Sequence, residues 1–227
     1  MKKAFELLVF DWDGTLMDSE AHIVTSMQRA AVDLGVAELS PDRVRNIIGL
    51  GLREALVKLL PGMDDEIYQS LTDRYRVHFF TDDLCEPFAG AEQVLQGLQD
   101  QGYLLAVATG KGRNGLDRVL KSTGFERFFS ITRCADEARS KPDPQMLHEI
   151  MEVMDVGPQA TLMIGDTEYD LEMAHTAGAF SLGVDYGVHE RQRLLTCKPL
   201  ACLSTIQDLP DWLMRHSENM ATDLIRN

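Results

Sequence analysis

Glu6-Leu7-Leu8-Val9-Phe10-Asp11-Trp12-Asp13-Gly14-Thr15 passes from an unbroken apolar run straight into a polar turn. A short apolar run ended by turn residues suits a strand buried on both faces, the kind found in parallel sheets. Similar runs recur at Tyr103 to Ala108, Thr161 to Ile164 and Ala179 to Val184, with a weaker one at Phe128 to Thr132. Helical patterns lie between them, over roughly 90–101, 112–123, 143–155 and 168–177. Strands alternating with helices predict an α/β fold, a parallel sheet wrapped by helices.

One interval breaks the alternation. From about residue 17 to residue 85, Ile23, Met27, Ala30, Ala31 and Leu34 recur at helical spacing, and Gly35 is a natural stop. Ser40-Pro41 supplies a cap followed by proline at the first helical position. Leu56, Leu59 and Leu60 mark another amphipathic helix, and Asp64 to Phe80 a further one. The reading is a helical insertion after the first strand, with Pro87 and Gly90 marking the return. The tail from Asp208 is expected to form a helix around Trp212 and Leu213.

Bulk properties narrow the partners. The 227 residues are 44% hydrophobic and 26% charged, ordinary values for a globular protein with a sizeable core. A formal net charge of −14 repels nucleic acid and anionic lipid, so neither is expected as a partner. No run is long enough to span a membrane. Cys85, Cys134, Cys197 and Cys202 show neither CxxC nor zinc spacing, which suits free thiols in a reducing, cytoplasmic setting. Monomer and homodimer are both compatible with this composition.

Polar groups collect where strands end, the place where open parallel sheets bind ligands. In extended backbone, residues two apart face the same side. Asp11 and Asp13 therefore point into one site while Trp12 points away. Two close carboxylates repel unless a proton or a hard cation such as magnesium offsets them. One can attack phosphorus and the other can move the proton. The same residues also suit a plain Asp-Gly turn. Ala108-Thr109-Gly110-Lys111-Gly112 offers a hydroxyl, free N–H groups and an ammonium for phosphate oxygens, or a simple helix cap. Ser140-Lys141-Pro142-Asp143-Pro144 fixes the backbone around one lysine, whose ammonium can pair with both a carboxylate and a phosphoryl group. Gly165-Asp166-Thr167-Glu168-Tyr169-Asp170 brings two more carboxylates to one helix start, where Asp166 alone would also serve as N-cap.

The four segments in this order resemble the haloacid dehalogenase superfamily, and the resemblance spans nearly the whole chain. It implies a Rossmann-like parallel-sheet core over residues 1–16 and 86–227, with an α-helical cap domain inserted at 17–85. It implies that Asp11 is the nucleophile, Asp13 the general acid/base, and Thr109 and Lys141 the phosphate-binding pair, with Gly110 and Lys111 beside them. Magnesium would be held by Asp11, the backbone carbonyl of Asp13, Asp166 and its partner Asp170. Dehalogenases of this superfamily lack the second aspartate of the first motif, so Asp13 favours phosphoryl transfer. The pattern is most similar to phosphoglycolate phosphatases, which implies hydrolysis of a small-molecule phosphate ester through an aspartyl-phosphate. Pyrophosphatases and hexose-phosphate mutases share the motifs, and a non-catalytic scaffold would have no need of Asp11 or Asp13. Gly49-Leu50-Gly51-Leu52-Arg53 resembles the family's specificity loop, with Arg53 a candidate for a substrate carboxylate or second phosphate. Glu20, His22 and Lys58 receive no role beyond solvated or core-satisfied side chains.

Overall fold

The computed structural model describes residues 3–36, 38–81 and 85–226, with residues 219–226 described by their backbone. Parts of the expected ranges (1–2, 37, 82–84 and 227) lie outside the described residues. The first strand, β1 (Leu7–Phe10), ends at the first acidic segment. A two-residue strand β2 (Met17–Asp18) leads into four helices: α1 (Glu20–Asp33), α2 (Pro41–Arg45), α3 (Leu52–Leu59) and α4 (Asp65–Thr81). The chain returns through β3 (Glu86–Pro87), which pairs antiparallel with β2. Then follow α5 (Ala91–Asp100), β4 (Leu104–Thr109), α6 (Arg113–Thr123), β5 (Ile131–Cys134), α7 (Gln145–Met154), β6 (Thr161–Gly165), α8 (Glu168–Thr176) and β7 (Phe180–Val184). The last elements are α9 (Arg191–Thr196), β8 (Cys202–Leu203) and α10 (Leu209–Arg226).

Six strands form one parallel sheet in the order β5-β4-β1-β6-β7-β8. The strand β1 is central, with Phe10 opposite Val107 on one side and Ile164 on the other. The pleat sends alternate residues to opposite faces. Leu8, Phe10, Leu105 and Val107 join one apolar layer, and Leu7, Val9, Ala106 and Ala108 join the other. Burial on both faces explains why these strands read as continuous apolar runs. Ile23, Met27, Val44, Leu56 and Leu71, from α1 to α4, form an apolar cluster of their own above the sheet edge.

One expectation shifts. The weaker strand lies at Ile131–Cys134, three residues beyond the expected start at Phe128. Phe125 and Phe128 instead fall in a 3₁₀ turn, where a spacing of three puts both rings on one side, against the core. The ribbon of β2 and β3, the helix α9 and the strand β8 are too short to carry a periodic signal.

Trp12 is fully buried, with its ring edge-on to Phe125 at 6.2 Å and Phe129 at 6.4 Å. Its indole N–H finds no hydrogen-bond partner. Trp12→Ala should therefore cost about 3–5 kcal/mol of unfolding free energy. Trp12→Phe should cost less than half as much, because it keeps a ring and removes an unpaired donor. Urea denaturation of the two variants checks this, and equal losses would contradict it.

Candidate active site

The carboxyl edge of the sheet gathers the four polar segments. Asp11 follows β1, Thr109 ends β4, Asp166 follows β6, and Lys141 lies in the loop before α7. Asp11, Thr109 and Lys141 are each 1% exposed, and Asp166 and Asp170 are fully buried. Buried charges persist only when paired or bound to an ion. Lys141 is the internal partner: its Nζ stands 2.7 Å from Asp11 Oδ1 and donates to Asp170 Oδ1 at 2.6 Å. Burial opposes its charge, yet Asp11 and Asp170 outweigh burial and hold the ammonium above its ordinary range.

One lysine does not balance three carboxylates. Asp11, Asp166 and Asp170 each offer an oxygen within 4.8 Å of the others. Burial raises the Asp11 carboxyl well above the usual carboxylate range; Asp170 and Asp166 add to this, against the pull of Lys141. Burial, with help from Asp170, pushes Asp166 up to about 7. Both Asp11 oxygens are buried and accept no hydrogen bond, because Lys141, although close, is poorly aligned for one. A hard divalent cation fits such a set: all its donors are oxygens, and it would neutralise the excess charge.

The carboxylate of Asp13 stands outside this cluster. Lys111 Nζ donates to both Asp13 oxygens at 2.9 Å, and Ser19 Oγ donates to Oδ1 at 2.7 Å. Thr109 Oγ1 accepts from the Lys111 backbone N–H at 3.1 Å, which shapes the loop ahead of α6.

Two glycines permit the close packing. Gly14 has φ of 82°, and a Cβ there would fall 2.2 Å from Asp166 Oδ2. A Cβ on Gly110 would meet the backbone carbonyl oxygens of Leu50 and Gly49 at 2.5 and 2.6 Å. Gly110 thus admits the loop at Gly49 and Leu50 to the loop after β4. Lys58 Nζ donates to Tyr169 Oη at 2.8 Å, Tyr169 Oη donates to the Asn46 carbonyl at 2.6 Å, and the Gly51 N–H donates to Ser140 Oγ at 2.7 Å. Lys58, without a role in the sequence reading, joins α3 to α8.

Other cap residues have local partners. Glu20 accepts from Arg45 Nε at 2.5 Å, and His22 Nε2 lies 2.8 Å from the Phe79 carbonyl. Arg53 lines the cavity but pairs with Asp65 at 2.6 Å. The N-cap of α8 is Thr167 rather than Asp166. Asp170 Oδ2 accepts from the Thr167 N–H and hydroxyl at 3.1 and 2.7 Å, which frees Asp166 to face the cluster.

Several supporting residues escaped the sequence reading. Thr15 Oγ1 donates to Asp166 Oδ1 at 2.8 Å, and the Val188 N–H donates to Oδ2 at 2.8 Å. The Glu168 N–H donates to Nδ1 of His189, which burial pushes down to about 4 and so keeps neutral as an acceptor. Thr15 adjoins the first motif and carries some signal. Val188 acts through its backbone and carries none.

Residues 8–184 match the family model for haloacid dehalogenase-like hydrolases. The chain is 32% identical to "Probable phosphatase IndB" of Dickeya dadantii, over 89% of this chain and 91% of that protein. It is 29% identical to a phosphoglycolate phosphatase of Psychrobacter arcticus, over 92% and 96% of the two chains. The crystal structure of a hydrolase from Pseudomonas syringae shares the fold, with a TM-score of 0.85 at 22% identity, over 92% and 97% of the two chains. The chain belongs to the haloacid dehalogenase-like hydrolase family.

Protons and a cation compete for Asp11 and Asp166. A carboxyl raised by folding binds more protons in the folded state than in the unfolded one. Without a cation, its contribution to stability falls as pH rises from about 4 through its raised value, about 7 for Asp166. A cation removes that loss, so magnesium should raise the melting temperature more at pH 8 than at pH 5.5. Asp166→Asn should lose most of the rise. Scanning fluorimetry against magnesium and a chelator checks this, and a pH-independent rise would contradict it.

Proposed function

We propose that the protein is a magnesium-dependent phosphatase that hydrolyses a small-molecule phosphate monoester through an aspartyl-phosphate on Asp11. The observation that carries this reading is the Asp11 carboxylate, buried on the cavity wall with neither oxygen accepting a hydrogen bond and Asp13 beside it. Asp11 Oδ1 lies 2.7 Å from the Lys141 ammonium, and Oδ2, with no donor against it, keeps its lone pairs available for attack. Helices within residues 17–85 act as the cap that covers the site.

Asp11 attacks phosphorus, and the ester P–O bond breaks as the new O–P bond forms. Asp13 gives its proton to the departing alkoxide. Asp13 then takes a proton from water, which attacks the phosphorus of the aspartyl-phosphate and returns Asp11 as carboxylate. Lys141 and the Thr109 hydroxyl face the charge on the phosphoryl oxygens. Magnesium, held among Asp11, Asp166 and Asp170 with the Asp13 carbonyl, supplies further charge neutralisation there when bound. Lys111 connects binding to chemistry. Its ammonium contacts both Asp13 oxygens in the free site, and an arriving phosphate competes for it.

Asp11→Asn should reduce turnover to background while circular dichroism stays unchanged. Asp13→Asn should cut kcat by about 10²–10⁴ on alkyl phosphates, whose leaving oxygen needs a proton. The loss should be much smaller for formation of the phosphoenzyme from p-nitrophenyl phosphate, whose leaving group departs as an anion. Rapid-quench kinetics on both esters checks the assignment. Equal losses in that first step would contradict Asp13 as the acid, and near-normal activity of Asp11→Asn would contradict the nucleophile.

A further inference from the structure

The cavity that opens from Asp11 and Asp13 into the cap has a volume of about 520 Å³. Pockets of roughly 300–1,000 Å³ bury most of a drug-sized ligand, so a phosphate on a two-carbon acid would fill little of this one. Beyond the phosphate end, the wall is apolar and includes Ile23, Met27, Ile48, Tyr75, Phe79 and Phe80. The three aromatic rings come from one helix, α4. Tyr75 and Phe79 lie 5.5 Å apart at an angle of 31°, and Phe79 meets Phe80 edge-on at 5.7 Å. The ammonium of Lys111, the same group that holds Asp13, sits 4.5 Å above the Phe79 ring. The aromatic wall therefore begins where the phosphate site ends.

The charges of the cavity leave little for a second anion. Away from the phosphate end, the charged lining groups are Glu54, Asp136, Arg53 and Arg76. Arg53 pairs with Asp65 at 2.6 Å, and Arg76 lies 3.8 Å from Asp73. A substrate carboxylate or second phosphate would face Glu54 and Asp136 with no unpaired cation among the described lining residues. The neutral polar groups on the same wall are Gln69, Thr72 and the Tyr75 phenol. Burial raises the Tyr75 phenol well above its ordinary value and keeps it neutral.

We propose that the preferred substrate is the phosphomonoester of an uncharged alcohol carrying an aromatic body, seated against Tyr75, Phe79 and Phe80. This rests on the phosphatase reading and names the substrate class of the same site. The aromatic body stacks on or meets edge-on the three rings, and hydrogen-bonding groups on its rim find the neutral polar side chains of α4.

Ethyl phosphate and 2-phenylethyl phosphate share a primary alkyl leaving oxygen and differ in the ring, so their ratio of kcat/KM reads the pocket rather than the chemistry. The ring should raise kcat/KM about tenfold or more, and 2-phosphoglycolate should rank below 2-phenylethyl phosphate. Phe80→Ala should shrink the ratio, as should Phe79→Leu, which keeps the cap's apolar cluster filled. A ratio near one, or 2-phosphoglycolate as the best of the three, overturns the proposal. Calorimetric binding of the same esters to Asp11→Asn separates the two readings. If the wild-type protein hydrolyses none of them, the phosphatase reading falls. Tighter binding of 2-phenylethyl phosphate than of ethyl phosphate would still uphold the pocket assignment, and equal binding would overturn it.

Discussion

The ammonium of Lys141, fully buried between Asp11 and Asp170, is the interaction on which the site depends. A lone buried charge is costly, and a buried pair loses most of its value when one partner is removed. Here three carboxylates share one lysine, so pairing is incomplete by design of the sheet edge itself. The central strand ends in Asp11, its neighbour β6 leads into Asp166, and α8 carries Asp170 one turn further on. The residual negative charge is what a hard cation would balance. The protein as a whole carries −14, so an incoming phosphate needs a cation at this edge to reverse the local field.

The apolar layers supply the rigidity that such a cluster requires. Burial of β1 on both faces fixes its direction, and the pleat then sends Asp11 and Asp13 one way and Trp12 the other. Trp12, Phe125 and Phe129 anchor the turn from beneath. Above it, the cap loop at Gly49 and Leu50 meets Gly110, and Lys58 reaches Tyr169 on α8. The aromatic rings of α4 line the same cavity as Asp11 and Asp13. The sheet edge holds the charges, and the helices within residues 17–85 line the remaining space.

The parallel sheet was legible because strands buried on both faces leave unbroken apolar runs, as at Leu7–Phe10 and Thr161–Gly165. The acidic segments were legible because carboxylates rarely follow such runs without a task. What the sequence could not display were contacts made by backbone or across the fold. Val188 donates to Asp166 through its N–H, which no side chain announces. Ser19 reaches Asp13 because the turn from Trp12 to Met17 folds the chain back. Arg53 reads as a free fork in sequence, and its pairing with Asp65 becomes visible only once α3 and α4 lie side by side. Phe128 reads as the start of a strand, yet core packing places it with Phe125 in a 3₁₀ turn.

On the proposed mechanism, the Asp11 carboxylate is the nucleophile, held in a charge cluster organised by Lys141. Acid quenching during steady turnover of p-nitrophenyl phosphate, followed by peptide mapping by mass spectrometry, tests it directly. The account predicts an acyl phosphate on the peptide containing Asp11, labile to hydroxylamine and absent from Asp11→Asn. Active enzyme that yields no phosphopeptide, or one modified at any other residue, would contradict it.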